Sequence, residues 1–335
     1  MGAGAVAGYD DNIHFELRES ECGKEHRYNP VDCHGGVIVE CRHHGTGAGH
    51  GRSGFRRARQ GPVDRGVQGD SFRGASGGGS PLACAEAGRA WQGIKKADQF
   101  GNSCIQNIVT ERKPHTYEFM AHNAISEDCL YINVWTAART PSERRPVYMY
   151  IYGGGNTEGS SAVPVYDGEG PAKKGIVLVT VSYRLGVLGF FTHPELTKEV
   201  EYHASGNYGV LDLVAALHWV HDNIAAFGGD PAKVTIGGQS AGAGNSHTLT
   251  ASPLAKGLFR GAIAESGSSM SSGTSGSTLA AQEQVGVKFA HAKGAASLAD
   301  LRKMSWQKLI ELTPGPTTGT GPYATAFRFS FHRQV

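Results

Sequence analysis

The chain has 335 residues, of which 39% are hydrophobic, and a formal net charge of +2. That is material for one large domain or two small ones, and the charge gives no global attraction to nucleic acid or a membrane surface. No apolar run approaches the ~20 residues of a transmembrane helix, and the opening "MGAGAVAGYDDN" turns acidic too early for a signal-peptide core.

Residues 1–80 hold 18 of the 48 glycines, and the stretch 42–65 carries six Arg against one acidic residue. So few large apolar side chains predict a solvated, poorly ordered segment over 1–66, ahead of a folded unit over 67–335. A basic nucleic-acid arm is the rival reading of 42–65, and no nucleic-acid partner is expected. All six cysteines (22, 33, 41, 84, 104 and 129) fall in the first 129 residues. Cys22, Cys33 and Cys41 stand near His34, His43 and His44, but no C-x-x-C or H-x₃₋₅-H pair occurs among them, so no metal site is assigned.

From residue 129 the pattern becomes regular. Strands are predicted at 130–136, 146–152, 175–183, 233–238 and 260–266, several of them apolar on both faces, as in a central sheet covered by helices. The spacing of Leu213, Leu217, Val220 and Ile224 predicts a helix within 206–229, stopped by Gly228 and Gly229. His218 and His221 read as ordinary residues of that helix. Two more helices are expected at 279–293 and 297–312, the second with Leu298, Leu301, Leu309 and Leu312 in register. Alternating strands and helices imply an α/β fold with a largely parallel sheet.

Two glycine motifs follow strands. "TIGGQSAGAGNSH" (235–247) places Ser240 between Gly238 and Gly242, the G-x-S-x-G spacing of a sharp strand-to-helix turn that exposes a nucleophilic hydroxyl. With 48 glycines in the chain the spacing alone is weak; the strand before it and the small-residue run after it give it weight. "YIYGGGNTEGS" (150–160) offers backbone N–H groups after another strand, where glycine permits close approach to a developing oxyanion. The plain alternative for each is a flexible glycine loop.

Together with "AWQGIKKADQFGNSCIQ" (90–106), "SEDCLYINVWT" (126–136), "VSYRLGVLGF" (181–190), 206–243 and 252–268, these motifs make the chain resemble the type B carboxylesterases over roughly residues 90–312. That family includes cholinesterases and bacterial para-nitrobenzyl esterases. The resemblance implies an α/β-hydrolase fold, no cofactor, and hydrolysis of short-chain or aryl carboxylic esters through a serine acyl-enzyme. By the same resemblance Ser240 is the nucleophile, and Gly154, Gly155 and Ala241 are the oxyanion donors. Cys104 and Cys129 form a disulfide, which points to a secreted or periplasmic protein. Arg184 and Asp212 form a buried structural ion pair. Asn156 replaces the family's usual aromatic residue and Gln239 a frequent Glu, changes expected to alter the acyl pocket or its polarity.

A serine hydroxyl needs a base, and the base an acid to orient it. Downstream of Ser240 stand His247, His291 and His332, with Glu265, Glu283, Asp300 and Glu311, and no convincing triad assembles from them. The family pattern also breaks over 75–89 and 313–335, which reads as out-of-frame or otherwise altered sequence in an esterase truncated at its C-terminal side. A catalytically incomplete fragment, or a non-catalytic cholinesterase-like binding module, is therefore the second reading.

Overall fold

Five segments rich in β-branched and aromatic residues build the central sheet: β1 (Tyr131–Thr136), β2 (Arg145–Ile151), β3 (Val177–Val181), β4 (Gly229–Gln239) and β5 (Gly261–Glu265). The computed structural model describes residues 99–108, 116–200, 202–269 and 278–311, with the backbone of short strands at 15–19, 37–41, 56–57 and 61–62. The sheet order is β5-β4-β2-β3-β1. All its pairs are parallel except β1 with β3, where Ile132 faces Val181. The short strands at 56–57 and 61–62 pair antiparallel with β1. This is the mostly parallel, helix-flanked sheet expected of an α/β-hydrolase.

Strand limits agree with the sequence reading to within about two residues, except for β4. That strand begins at Gly229, with a register shift before Val234, so the Gly-Asp-Pro turn lies inside the strand as an irregularity.

Helices α1 (Glu169–Lys173), α2 (Gly186–Phe190), α3 (Pro194–Glu199), α4 (Tyr208–Asn223), α5 (Ala241–Ala251), α6 (Leu279–Ala292), α7 (Leu298–Arg302) and α8 (Trp306–Ile310) complete the described residues. The face of α4 foreseen from its spacing packs on the sheet, and Leu213, Leu217, Val220 and Ile224 are each fully buried. Fully burying one such side chain is worth about 1.5–3 kcal/mol. Gly228 ends the following 3₁₀ turn at φ +75°, a conformation glycine adopts without a steric penalty.

The single helix expected over 297–312 is two helices, α7 and α8. Ser305 breaks them by capping the second, its hydroxyl accepting from the Lys308 N–H. Leu298, Leu301 and Leu309 are buried as that spacing required; Leu312 lies outside the described residues. A short helix pair can present the same leucines to the core as one long helix, so periodicity alone did not separate the two.

Candidate active site

Parallel pairing positions the two glycine motifs. Gly238 on β4 pairs with Ile151 on β2, so both strands end together and release their loops at the same edge of the sheet. Sites in open α/β sheets form at the carboxyl ends of strands for this reason. The β2 loop begins with Gly153, and a methyl group built on its Cα would lie 3.2 Å from Ser240 Cβ and 2.7 Å from the Gln239 carbonyl oxygen. Only a glycine lets the loop touch the turn this closely.

Ser240 occupies φ +55°, ψ −118° between β4 and α5. Non-glycine residues held in sparsely populated backbone regions of this kind cost of order 1–3 kcal/mol and persist only where the surroundings over-determine them. Here they do. The Ser240 N–H donates to the Glu265 carbonyl at the end of β5 (2.8 Å), and its own carbonyl accepts from the Gly244 N–H (3.1 Å). A methyl on Gly267 would run into that same carbonyl. Methyl groups on Gly238 or Gly242 would both strike the Ile151 carbonyl oxygen, so each glycine of the motif is required by a backbone approach.

A serine at a helix N-cap ordinarily turns its hydroxyl inward to accept from the first turn. The strained backbone turns this one away. Ser240 Oγ makes no cap bond, and it has no hydrogen-bond partner among the described residues. Directly after it, Ala241 opens α5, where N–H groups of the first turn have no intrahelical acceptor and the helix dipole favours negative charge.

The β2 loop folds into a turn of its own. Gly154 (φ +101°) and Gly155 (φ +64°) both lie in the left-handed region. The Gly154 carbonyl accepts from the N–H groups of Thr157 (3.1 Å) and Glu158 (3.2 Å) and from the Thr157 hydroxyl (3.2 Å). A side chain at 154 would overlap the Glu158 carbonyl. With the Gly154 carbonyl turned into the loop, the Gly154 and Gly155 N–H groups have no bond among the described residues.

Behind the site, Arg184 and Asp212 form the buried pair that the sequence suggested. Asp212 accepts from Arg184 Nη2 (2.7 Å), Nε (2.8 Å) and backbone N–H (3.0 Å). Cys104 and Cys129 form a disulfide.

The other candidates among the described residues do not bring a side chain to Ser240 Oγ. His247 lies on α5, and its Nδ1 accepts from the Ser269 N–H at 3.4 Å. His291 is exposed near the end of α6, and His332 lies outside the described residues. Glu265 serves the turn through its backbone carbonyl, while its carboxylate acts on tyrosines. Burial first, then the charge of Glu265, push the Tyr148 hydroxyl up to about 12. Glu283 lies on α6, Asp300 binds Ser297 and Lys303, and Glu311 accepts from Lys293 through its carbonyl. Among the described residues no histidine nitrogen reaches Ser240 Oγ. No group of His, Cys, Asp and Glu among them could hold a metal ion. The cysteine-histidine cluster at 22–44 and the arginine-rich stretch 42–65 fall outside the described side chains.

Sequence reasoning missed the supports of the turn: Ser266 (φ +52°), Gly267, and the bond between Asn245 and Asn156. The "AESGS" run carried a signal in its glycine. Nothing local marked Asn245, because its partner is 89 residues away.

A model of the carboxylesterase family matches residues 82–331, extending into 82–89 and 313–331, where the family pattern was expected to break. The fumonisin B1 esterase of Sphingopyxis macrogoltabida is 47% identical over 178 residues, covering 53% of this chain and 32% of that protein. The mouse (Mus musculus) carboxylesterase 1E is 43% identical over 189 residues, covering 55% of this chain and 32% of its own. The rabbit (Oryctolagus cuniculus) cocaine esterase is 41% identical over 189 residues, 55% of this chain and 34% of its own. The matched stretch spans about a third of the length of these relatives.

Proposed function

Since the chain belongs to the carboxylesterase family, we propose that it hydrolyses carboxylic esters through an acyl-enzyme formed on Ser240. The observation that carries the reading is the turn itself: a strained, multiply braced serine whose hydroxyl makes no bond among the described residues. A residue with no chemical task relieves such strain cheaply by substitution with glycine.

In this reading Ser240 Oγ attacks the ester carbonyl carbon, and its proton passes to a base. The carbonyl oxygen gains the negative charge and settles against the N–H groups of Gly154, Gly155 and Ala241. Collapse expels the alcohol, which takes up a proton, and water then cleaves the acyl-serine to release the acid. Losing one donor of such a hole raises the barrier by about 2.7–4 kcal/mol. No described residue supplies the base, so the base is sought among residues outside those described, such as His332. The substrate is a small ester, with short-chain or aryl esters as the first class to try. The disulfide supports an oxidising compartment, secreted or periplasmic, and no helix of the described residues is long and apolar enough to cross a membrane.

The test is hydrolysis of a para-nitrophenyl ester by this chain beside its Ser240→Ala variant. Activity that the substitution abolishes is the expected result. Equal background rates in both proteins count against catalysis by this chain and favour the second reading, a catalytically incomplete fragment or a non-catalytic binding module.

A further inference from the structure

Three consecutive residues of the β2 loop, Gly154, Gly155 and Asn156, stand at positive φ (+101°, +64° and +60°). Two adjacent glycines confer freedom rather than order; the bonds within the loop hold the Gly154 carbonyl, and contacts from outside the turn fix the rest. Asn156 is where those contacts converge. Its carbonyl accepts from the Gly186 N–H at 2.7 Å. Its Oδ1 accepts from Asn245 Nδ2 at 3.0 Å and, more weakly at 3.3 Å, shares the single Tyr183 hydroxyl proton with the Tyr152 carbonyl. All three side chains are buried.

Both partners are themselves rigidly held. Asn245 sits one turn into α5, five residues after Ser240, so its bond ties the loop to the helix that the serine begins. The Tyr183 ring stacks on Tyr152 with centroids 4.5 Å apart. The two tyrosines also exchange bonds, Tyr183 hydroxyl to Tyr152 carbonyl at 2.8 Å and Tyr152 hydroxyl to Tyr183 carbonyl at 3.2 Å. Burial holds the Tyr183 hydroxyl far above its ordinary pKa, so it remains a donor.

Asn245 makes little sense without this role. It is a poor helix former with an amide that is costly to bury, and its Oδ1 has no partner among the described residues. The bond to Asn156 is what satisfies its Nδ2. An aromatic residue at 156, as the family resemblance leads one to expect, would offer Asn245 no acceptor. The two asparagines therefore go together.

We propose that Asn156 is a positioning residue for ester hydrolysis: through Asn245 and Tyr183 it locks the Gly154–Gly155 N–H groups in place against the Ser240 turn. The proposal rests on the reading of that site as the oxyanion hole. Asn245 is the second half of the same device.

The experiment uses the full chain with Asn156→Gly, which keeps the backbone conformation accessible and deletes the side chain. Asn245→Ala removes the partner without touching the loop, and Asn156→Asp keeps an acceptor and tolerates the left-handed backbone. Hydrogen–deuterium exchange is read over residues 153–158 and over α4 as an internal control. Kinetics are read with para-nitrophenyl acetate, and transition-state complementarity with a trifluoromethyl ketone, which adds serine to form an oxyanion. Asn156→Gly and Asn245→Ala are expected to speed exchange at 153–158 but not in α4. Both lower kcat by about 10²-fold, the scale of a small misplacement of catalytic groups, with KM little changed and ketone affinity reduced by the same factor. Asn156→Asp recovers most of the loss.

Unchanged exchange at 153–158 in both variants overturns the proposal whatever the activity. So does a loss confined to KM, or an unaltered ketone affinity beside a lowered kcat. If the parent is no more active than Ser240→Ala, the ester-hydrolase reading fails by itself, and the exchange data still decide whether Asn156 anchors the loop. Should Asn156→Gly fail to fold, Asn245→Ala carries the same comparison.

Discussion

Replacing Asp212 by Ala isolates the buried Arg184–Asp212 pair. The substitution removes the acceptor of three bonds, from Arg184 Nη2 (2.7 Å), Nε (2.8 Å) and backbone N–H (3.0 Å). The guanidinium stays behind with 5% of its side chain exposed. Its remaining contacts are a 3.4 Å bond to the Tyr208 carbonyl and the Tyr208 ring at 5.6 Å. Removing one partner of such a pair costs about 3–5 kcal/mol, mostly for the charge left unpaired. For a domain of this size that lowers Tm by about 6–20 °C, at roughly 2–4 °C per kcal/mol. The double variant Arg184→Met with Asp212→Ala removes the charge, and replacing a whole buried pair is often close to neutral. The Arg184 backbone N–H still loses its acceptor, so the double variant should remain about 1–3 kcal/mol below the parent. Thermal and urea denaturation followed by near-ultraviolet circular dichroism give the order parent, double, Asp212→Ala. A double variant no more stable than Asp212→Ala would refute the reasoning, because the penalty would then not come from an orphaned charge.

Ser240→Gly should stabilise the fold by about 1–3 kcal/mol, the strain of the turn released, while abolishing ester hydrolysis; a lower urea midpoint than the parent's would show that the turn is not strained. Replacing both Cys104 and Cys129 by Ala opens a loop with a sequence separation of 25. Loop-closure entropy puts the loss at about 3–4 kcal/mol, and the parent scanned in a reductant should melt with the double variant, not above it. His193 is held below the ordinary histidine value, first by burial and then by the charge of His291, against raising contributions from Glu195 and Glu283. The unfolded chain thus binds the proton more readily than the fold does. That contribution to stability is full above the unfolded value near 6.5 and is lost as pH falls through the lowered folded value. Tm measured between pH 7.5 and 5 should fall less in His193→Asn, whose side chain can still accept from the Glu195 N–H as His193 Nδ1 does; parallel slopes would contradict the assignment.

The strands, the face of α4 and the Ser240 turn could all be read from sequence because each is governed by neighbours a few residues away. The apolar runs of β2 and β3 announce a sheet covered on both sides, and Gly238 and Gly242 announce a close backbone approach. Helix α5 was harder. Its "AGAGNSHTLTA" has two glycines, an asparagine and two threonines in eleven residues and no apolar stripe, so the helix was legible only from the small residues after the turn, where Gly242 approaches the Ile151 and Tyr152 carbonyls. The break between α7 and α8 depended on Ser305 acting as a cap, which the leucine spacing concealed.

By itself, then, the sequence determined the five strands of the central sheet, the buried face of α4 and which serine sits on the strand-to-helix turn. Hydrophobic period and glycine stereochemistry act over short stretches of chain, and both are written in the order of residues. Only the tertiary structure decided that two loops 86 residues apart, at Gly154 and Ser240, leave the same edge of the sheet, through the parallel register of Gly238 with Ile151. It also decided that Asn156 faces Asn245 rather than solvent, and that Glu265 serves the turn through its carbonyl oxygen. Those outcomes rest on strand order and on hydrogen bonds between distant segments, and no local pattern encodes which distant donor will meet which acceptor.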